Sequence, residues 1–160
     1  ARAVDSVAVN DRVLLDTGDG MVMSFMGNPE DALFVALSLR ETFAHPPERL
    51  GCEGVRLGIH LGPVKLVRDI NGQPNLLGDG INVAQRIMSF AHPGQVVVSR
   101  QYYEVVSRLS DAYVKLFRYE GTRQDKHIRE HEIYLVGREN LPATTTHPAF
   151  VVDRSRDPVL

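Results

Sequence analysis

Cysteine is almost missing from this 160-residue chain. The single Cys52 excludes an intrachain disulfide, which fits a reducing compartment, and nothing beside it in sequence would activate a nucleophilic thiol. No apolar run approaches the roughly 20 residues that a membrane-spanning helix needs. The opening Ala1-Arg2-Ala3-Val4-Asp5 has no apolar signal-peptide core and reads as the end of a helix. Neither sign of charge dominates: the formal net charge is −2, so no basic field argues for a nucleic-acid partner. The phosphate-binding signatures G-x-x-x-x-G-K-[ST] and G-x-G-x-x-G are absent, as is the G-x-S-x-G nucleophile elbow.

What is present describes an ordinary globular domain. Hydrophobic residues make up 43% and charged residues 24%, which with this length supports one core. Structural signals run to about residue 137. From Arg138 onward, Thr144-Thr145-Thr146, prolines and scattered charges read as a linker or tail, giving a domain over 1–137 and a tail over 138–160.

Periodicity predicts a helix tail over 1–9, then strands over 12–17 and 21–26 joined by Gly18-Asp19-Gly20, where glycine suits a hairpin needing positive φ. Asn28-Pro29-Glu30-Asp31 is a helix start, and His45-Pro46-Pro47 stops that helix. Val55 to His60 alternates as a strand, and Val64 to Arg68 resumes extended structure before an Asn71-Gly72 turn. A helix over 79–91, a buried strand over 95–99, a helix over 100–109 capped by Ser99, and strands over 113–120 and 132–136 complete the order. The expected class is α+β with a substantially antiparallel sheet.

Three places could carry chemistry. Asp19 is a carboxylate at a hairpin tip, where turn residues are common for purely local reasons. Asn82 and Arg86 are spaced i, i+4, so they share a helix face that Ser89 extends. The flanks Ile81, Val83, Ala84, Ile87, Met88 and Phe90 are apolar, so this stripe is expected in a mostly buried helix. An arginine there must meet a core carboxylate, an interface or a ligand. Gly78 and Gly80 permit close backbone approach at the start of that helix, a natural anion site.

One rival motif stands apart. His127-Ile128-Arg129-Glu130-His131 matches H-x-x-E-H, a zinc-peptidase pattern, but that chemistry needs a helix and this segment reads as a polar turn entering a strand. His60 and His92 read as a strand residue and a loop residue.

Four segments taken in order resemble the class III adenylate/guanylate cyclase catalytic domain. They are Asp16-Thr17-Gly18-Asp19-Gly20, Gly58-Ile59-His60-Leu61-Gly62-Pro63-Val64, Gly78-Asp79-Gly80-Ile81-Asn82-Val83-Ala84-Gln85-Arg86 and Gly94-Gln95-Val96-Val97-Val98-Ser99. The resemblance covers about Asp11 to Val136. It implies a ferredoxin-like nucleotide-cyclase fold, with the family's N-terminal strand and helix missing from this stretch. It also implies a homodimer with active sites between subunits, and a lyase that converts ATP or GTP to a 3′,5′-cyclic nucleotide and pyrophosphate with Mg²⁺ or Mn²⁺. By position Asp19 would be a metal ligand, Asn82 the ribose residue and Arg86 the transition-state residue. Asp79 would cap the helix. Leu15 and Asn75 would stand at the base-selecting positions, where neither is the family's usual residue. The family's other metal aspartate lies on an upstream strand that the eighteen residues before Asp19 do not contain. The alternative is therefore an inactive cyclase-like nucleotide-binding or dimerisation module. Either form would be a cytoplasmic domain, alone or within a larger or membrane-anchored protein, without membrane or nucleic-acid contact of its own.

Overall fold

The computed structural model describes residues 12–44 and 54–138. The expected helix tail at 1–9, the stop at His45-Pro46-Pro47, Cys52 and the tail from 139 onward lie outside the described residues. The central sheet has four strands in the order β3-β6-β8-β7: β3 (Leu57–Ile59), β6 (Val96–Ser99), β8 (Glu130–Val136) and β7 (Phe117–Gln124). Only the β3–β6 pair is parallel, and β8 runs antiparallel to both its neighbours. Two separate hairpins flank this sheet, β1 (Arg12–Asp16) with β2 (Met21–Phe25), and β4 (Lys65–Arg68) with β5 (Pro74–Leu77).

Strand β6 is the middle of the molecule. All four of its residues are buried, as expected of a strand covered on both faces. Side chains alternate, so Val96 and Val98 enter one core and Val97 enters another. The first core is built on α1 (Glu30–Ala44), α3 (Arg100–Val106) and α4 (Asp111–Leu116), through Leu33, Phe34, Tyr102, Val106, Tyr113 and Leu116. The second lies under α2 (Asp79–Ser89), where Ile87 and Ala91 meet Val97 and Ile133. Arg40 of α1 ties the first layer to the sheet's end. Its Nη1 donates to the Val136 carbonyl at 3.1 Å and its Nη2 to the Gly137 carbonyl at 2.9 Å.

Helix α2 approaches the sheet at a glycine. A Cβ at Gly58 would stand 2.4 Å from the Met88 backbone nitrogen, so backbone rests on backbone there. The start of the helix is packed equally closely. A Cβ at Gly78 would lie 2.6 Å from the Pro63 carbonyl oxygen, and the Gly80 N–H donates to that oxygen at 3.2 Å.

Two expectations need correction. Residues 113–116 form a helix, not the start of a strand. Ser110 caps it by accepting from the Ala112 N–H at 3.2 Å, and Tyr113 and Leu116, three apart, face the core together. Strand β5 was not expected, because it opens on Pro74 and contains Asn75, both poor strand formers; pairing with β4 supplies what propensity does not. Ser99 does cap α3, its Oγ accepting from the Tyr102 N–H at 3.3 Å.

Gly58→Ala should therefore destabilise the protein by about 2 kcal/mol or more, because the obstruction is backbone and not a flexible side-chain end. Thermal unfolding of the variant measures this. A melting temperature equal to wild type would contradict the packing described.

Candidate functional site

The tip of the first hairpin is a four-residue loop closed by the Thr17 N–H donating to the Gly20 carbonyl at 3.1 Å. Of its two glycines, Gly18 is the one with positive φ, at 83°. Asp19 is exposed, and one of its oxygens, Oδ1, accepts from the Thr17 hydroxyl at 3.3 Å. Asp16, at the base of the turn, accepts the Gly18 N–H at 2.7 Å, so its carboxylate is used locally. An exposed carboxylate with a free oxygen fits a hard divalent cation as one ligand. Among the described residues, no group of three or more His, Cys, Asp or Glu could hold a metal ion. Asp19 is thus a partial donor set.

On α2, Asp79, Asn82 and Arg86 fall at i, i+3 and i+7, along one face. Asn82 is exposed, and Ser89 turns back to donate its hydroxyl to the Arg86 carbonyl at 2.6 Å. Asp79 does not cap the helix. The N-cap is Gly78, which has no side chain to offer, and Asp79 is the first helical residue. Of the N–H groups at this helix start, that of Gly80 is already used, donating to the Pro63 carbonyl.

Arg86 meets Asp125, a residue that its sequence position does not mark. Its Nη1 lies 3.2 Å from Asp125 Oδ2, with side chains 21% and 3% exposed respectively. The same carboxylate contacts His131 Nε2 at 3.0 Å, and its other oxygen accepts the backbone N–H groups of His127 at 2.7 Å and Arg129 at 3.1 Å. The hydrogen bond from His131, then those backbone donors and the charge of Arg86, hold the Asp125 carboxyl far below the usual carboxylate range against the opposing effect of burial. Arg86 Nη1 is buried and makes no aligned hydrogen bond, so the pairing is through charge and distance. A second ion pair, Arg129 Nη1 to Asp79 Oδ2 at 3.2 Å, ties the same turn to the helix start.

That turn joins β7 to β8. The Asp125 N–H donates to the Arg129 carbonyl at 2.9 Å, and the Ile128 N–H to the Asp125 carbonyl at 3.0 Å. Ile128 has φ of 65°, a left-handed conformation that costs a β-branched residue roughly 1–2 kcal/mol. The H-x-x-E-H segment is therefore a hairpin turn entering a strand. His131 faces Asp125 and the Phe90 ring, whose centroid is 6.0 Å away, and the zinc-peptidase pattern has no helix to stand on.

Leu15 and Asn75 sit on strands that lie against each other, β1 and β5. Leu15 is half-buried opposite Val22, and Asn75 pairs with Val67 while its Oδ1 accepts the Leu76 N–H at 2.8 Å. His60 follows β3, with Nδ1 2.9 Å from Ser99 Oγ. Burial first, and the nearby His131 second, lower its pKa, with Asp79 opposing. His92 lies in an exposed loop. No hydrogen bond or ion pair among the described residues links Asp19 to Asn82 or Arg86.

Between β2 and β3 runs an apolar cavity of about 190 Å³, lined among others by Met23, Phe25, Ala36, Ile59, Ile81 and Ala84. Among the described residues β2 pairs only with β1, and β3 only with β6, so each strand has one unpaired edge.

The fold recurs in solved proteins. An adenylate cyclase of Trypanosoma brucei, solved in its monomeric state, superposes with a TM-score of 0.66 at 18% identity, over 84% of this chain and 75% of that one. The chain has the fold of a class III adenylate/guanylate cyclase domain. The guanylate cyclase domain of Catenaria anguillulae in complex with GTP matches with a TM-score of 0.60 at 20% identity, over 78% and 71% of the two chains. In sequence, a protein of Rhizobium meliloti (strain 1021) provisionally named adenylate cyclase 3 is 35% identical over 103 residues, 62% of this chain; the match spans 16% of that protein's length. No protein-family profile matches the chain. The expected α+β cyclase fold, with its mostly antiparallel sheet, thus agrees with the structure.

Asp125 escaped the sequence reading because its partner Arg86 is 39 positions away and nothing local announces the pairing. The signal that existed was indirect: a semi-buried arginine in an apolar helix demands a counter-charge. Asp125→Ala, which strips a semi-buried arginine of its counter-charge, should lower stability clearly more than Asp79→Ala, which breaks an exposed pair. Urea unfolding of both variants checks the contrast; equal losses would contradict it.

Proposed function

We propose that this domain catalyses cyclisation of a nucleoside triphosphate, ATP or GTP, as half of a homodimeric active site. The observation that carries the reading is the α2 face. Asn82 is presented to solvent, and one turn along the same face stands an arginine, partly exposed, whose Nη1 is anchored on Asp125. The reaction forms a bond between the ribose 3′ oxygen and the α-phosphorus, breaks the bond from that phosphorus to the bridging oxygen of pyrophosphate, and releases the 3′-hydroxyl proton. Asn82, with an amide that both donates and accepts, orients the ribose. Arg86 binds the α-phosphate and offsets charge that grows on it in the transition state. Leu15 offers no hydrogen bond to a base edge, so Asn75 carries what base selection there is.

Asp19 would hold a Mg²⁺ or Mn²⁺ ion, which when bound neutralises phosphate charge and acidifies the attacking hydroxyl. A second carboxylate from outside the described residues would complete that donor set. Asp19 belongs with the α2 face of a second copy. The exposed apolar side chains of the two hairpins, Leu14, Met21, Leu66 and Leu77, suit a partner surface. Cyclic nucleotide production implies a role in intracellular signalling.

That no group of three or more metal-ligating side chains gathers around Asp19 among the described residues favours one other reading, a module that binds nucleotide and dimerises without turnover. Full-length protein incubated with Mn²⁺ or Mg²⁺ and each triphosphate separates the two. Cyclisation predicts 3′,5′-cyclic nucleotide and pyrophosphate in equal amounts, and binding without product would establish the inactive module. Arg86→Ala should lower kcat by about 100-fold or more with KM changed only a few-fold, and Asp19→Ala should remove activity while leaving the melting temperature within a degree or two. A fall in affinity without a fall in kcat for Arg86→Ala would contradict the transition-state role.

A further inference from the structure

We propose that Asp125 is a positioning residue for Arg86: its carboxylate, fixed in the β7–β8 turn, takes the buried Nη1 and so holds the guanidinium at the α2 face with its remaining N–H groups available for phosphate. The inference rests on the reading of Arg86 as a phosphate ligand given above.

The carboxylate is oriented before Arg86 is considered. Oδ1 is fixed by the His127 and Arg129 backbone N–H groups, and Oδ2 is directed by His131. The turn that carries it is closed by two backbone hydrogen bonds and keeps Ile128 in a left-handed conformation. Strain of that kind persists only where surrounding contacts over-determine the backbone. The Arg129–Asp79 pair then pins the same turn one stripe position from Asn82, so the turn runs along the face that Arg86 shares.

The contact with Arg86 is of an unusual kind. An arginine held for stability alone commonly forms a bidentate, aligned pair with its carboxylate. Here Nη1 sits 3.2 Å from Oδ2 without an aligned hydrogen bond, and no other described group accepts from the guanidinium. Charge fixes the place of the group through Nη1, which is buried against Asp125, and leaves Nη2 and Nε as the donors that could reach a ligand. A donor placed in advance need not reorganise as charge develops on the substrate, which is where electrostatic catalysis gains most.

The test combines kinetics with a catalysis-independent measurement, both on the full-length protein. Asp125→Asn keeps the shape and an acceptor for the two backbone donors but removes the charge. The expected result is a fall in kcat of about tenfold or more with KM within about threefold, and no further fall when the change is made in an Arg86→Ala background. In parallel, nitrogen-15 arginine NMR should show a slowly rotating guanidinium signal, assigned by its loss in Arg86→Ala, that broadens in Asp125→Asn. Wild-type or faster turnover in Asp125→Asn would overturn the proposal, the faster case by showing that Asp125 sequesters Arg86. An equal loss in the Arg86→Ala background would reduce Asp125 to a structural role. An unchanged guanidinium signal would overturn the proposal whatever the kinetics. If wild type makes no cyclic nucleotide, the proposed function fails, while the NMR arm still decides whether Asp125 holds Arg86.

Discussion

Helix α2 rests on β3 with no side chain between them at Gly58, and the rest of the site follows from that contact. Backbone against backbone leaves the helix little freedom to slide, because any shift brings Met88 into the strand. At the other end of the helix Gly78 and Gly80 fit against Pro63 with the same economy of space. The helix is therefore located by its sequence of glycines before any polar contact is made. Asn82 and Arg86 inherit their direction from it.

Charge completes what packing begins. The β7–β8 turn reaches the α2 face at Asp79 and at Arg86, and Asp125 gathers a histidine, an arginine and two backbone donors on one buried carboxylate. A carboxylate with so many partners is costly to remove and hard to move. The contrast with Asp19 is chemical. Asp19 is exposed, has one local hydrogen bond and has no ion pair among the described residues. One aspartate is built into the fold; the other is offered outward.

The sequence made the helices and the glycine-bounded segments legible because their signals are local. Asn28-Pro29-Glu30 announced α1, and Ser99 announced α3 while its strand β6 showed an unbroken apolar run. Asn82 and Arg86 could be put on one face from spacing alone. Strand β5 was hidden by Pro74 and Asn75, and α4 by the β-branched and aromatic residues around Tyr113, since tertiary pairing and capping override weak propensity. The role of Asp79 was misread because its neighbour Gly78 occupies the cap position and the carboxylate instead meets Arg129. Asp125 was invisible because a pairing 39 residues apart leaves no periodic trace.

The central claim is that Asp19 and the Asn82–Arg86 face are halves of one site supplied by two copies of the chain. Mixing two full-length variants, Asp19→Ala, expected to be inactive, and Arg86→Ala, expected to keep about 1% of activity or less, tests it most directly. Random exchange of subunits makes half of the dimers mixed, and each mixed dimer holds one intact site of two, so the account predicts recovery of about a quarter of wild-type cyclase activity. Recovery of no activity, with subunit exchange demonstrated, would contradict it.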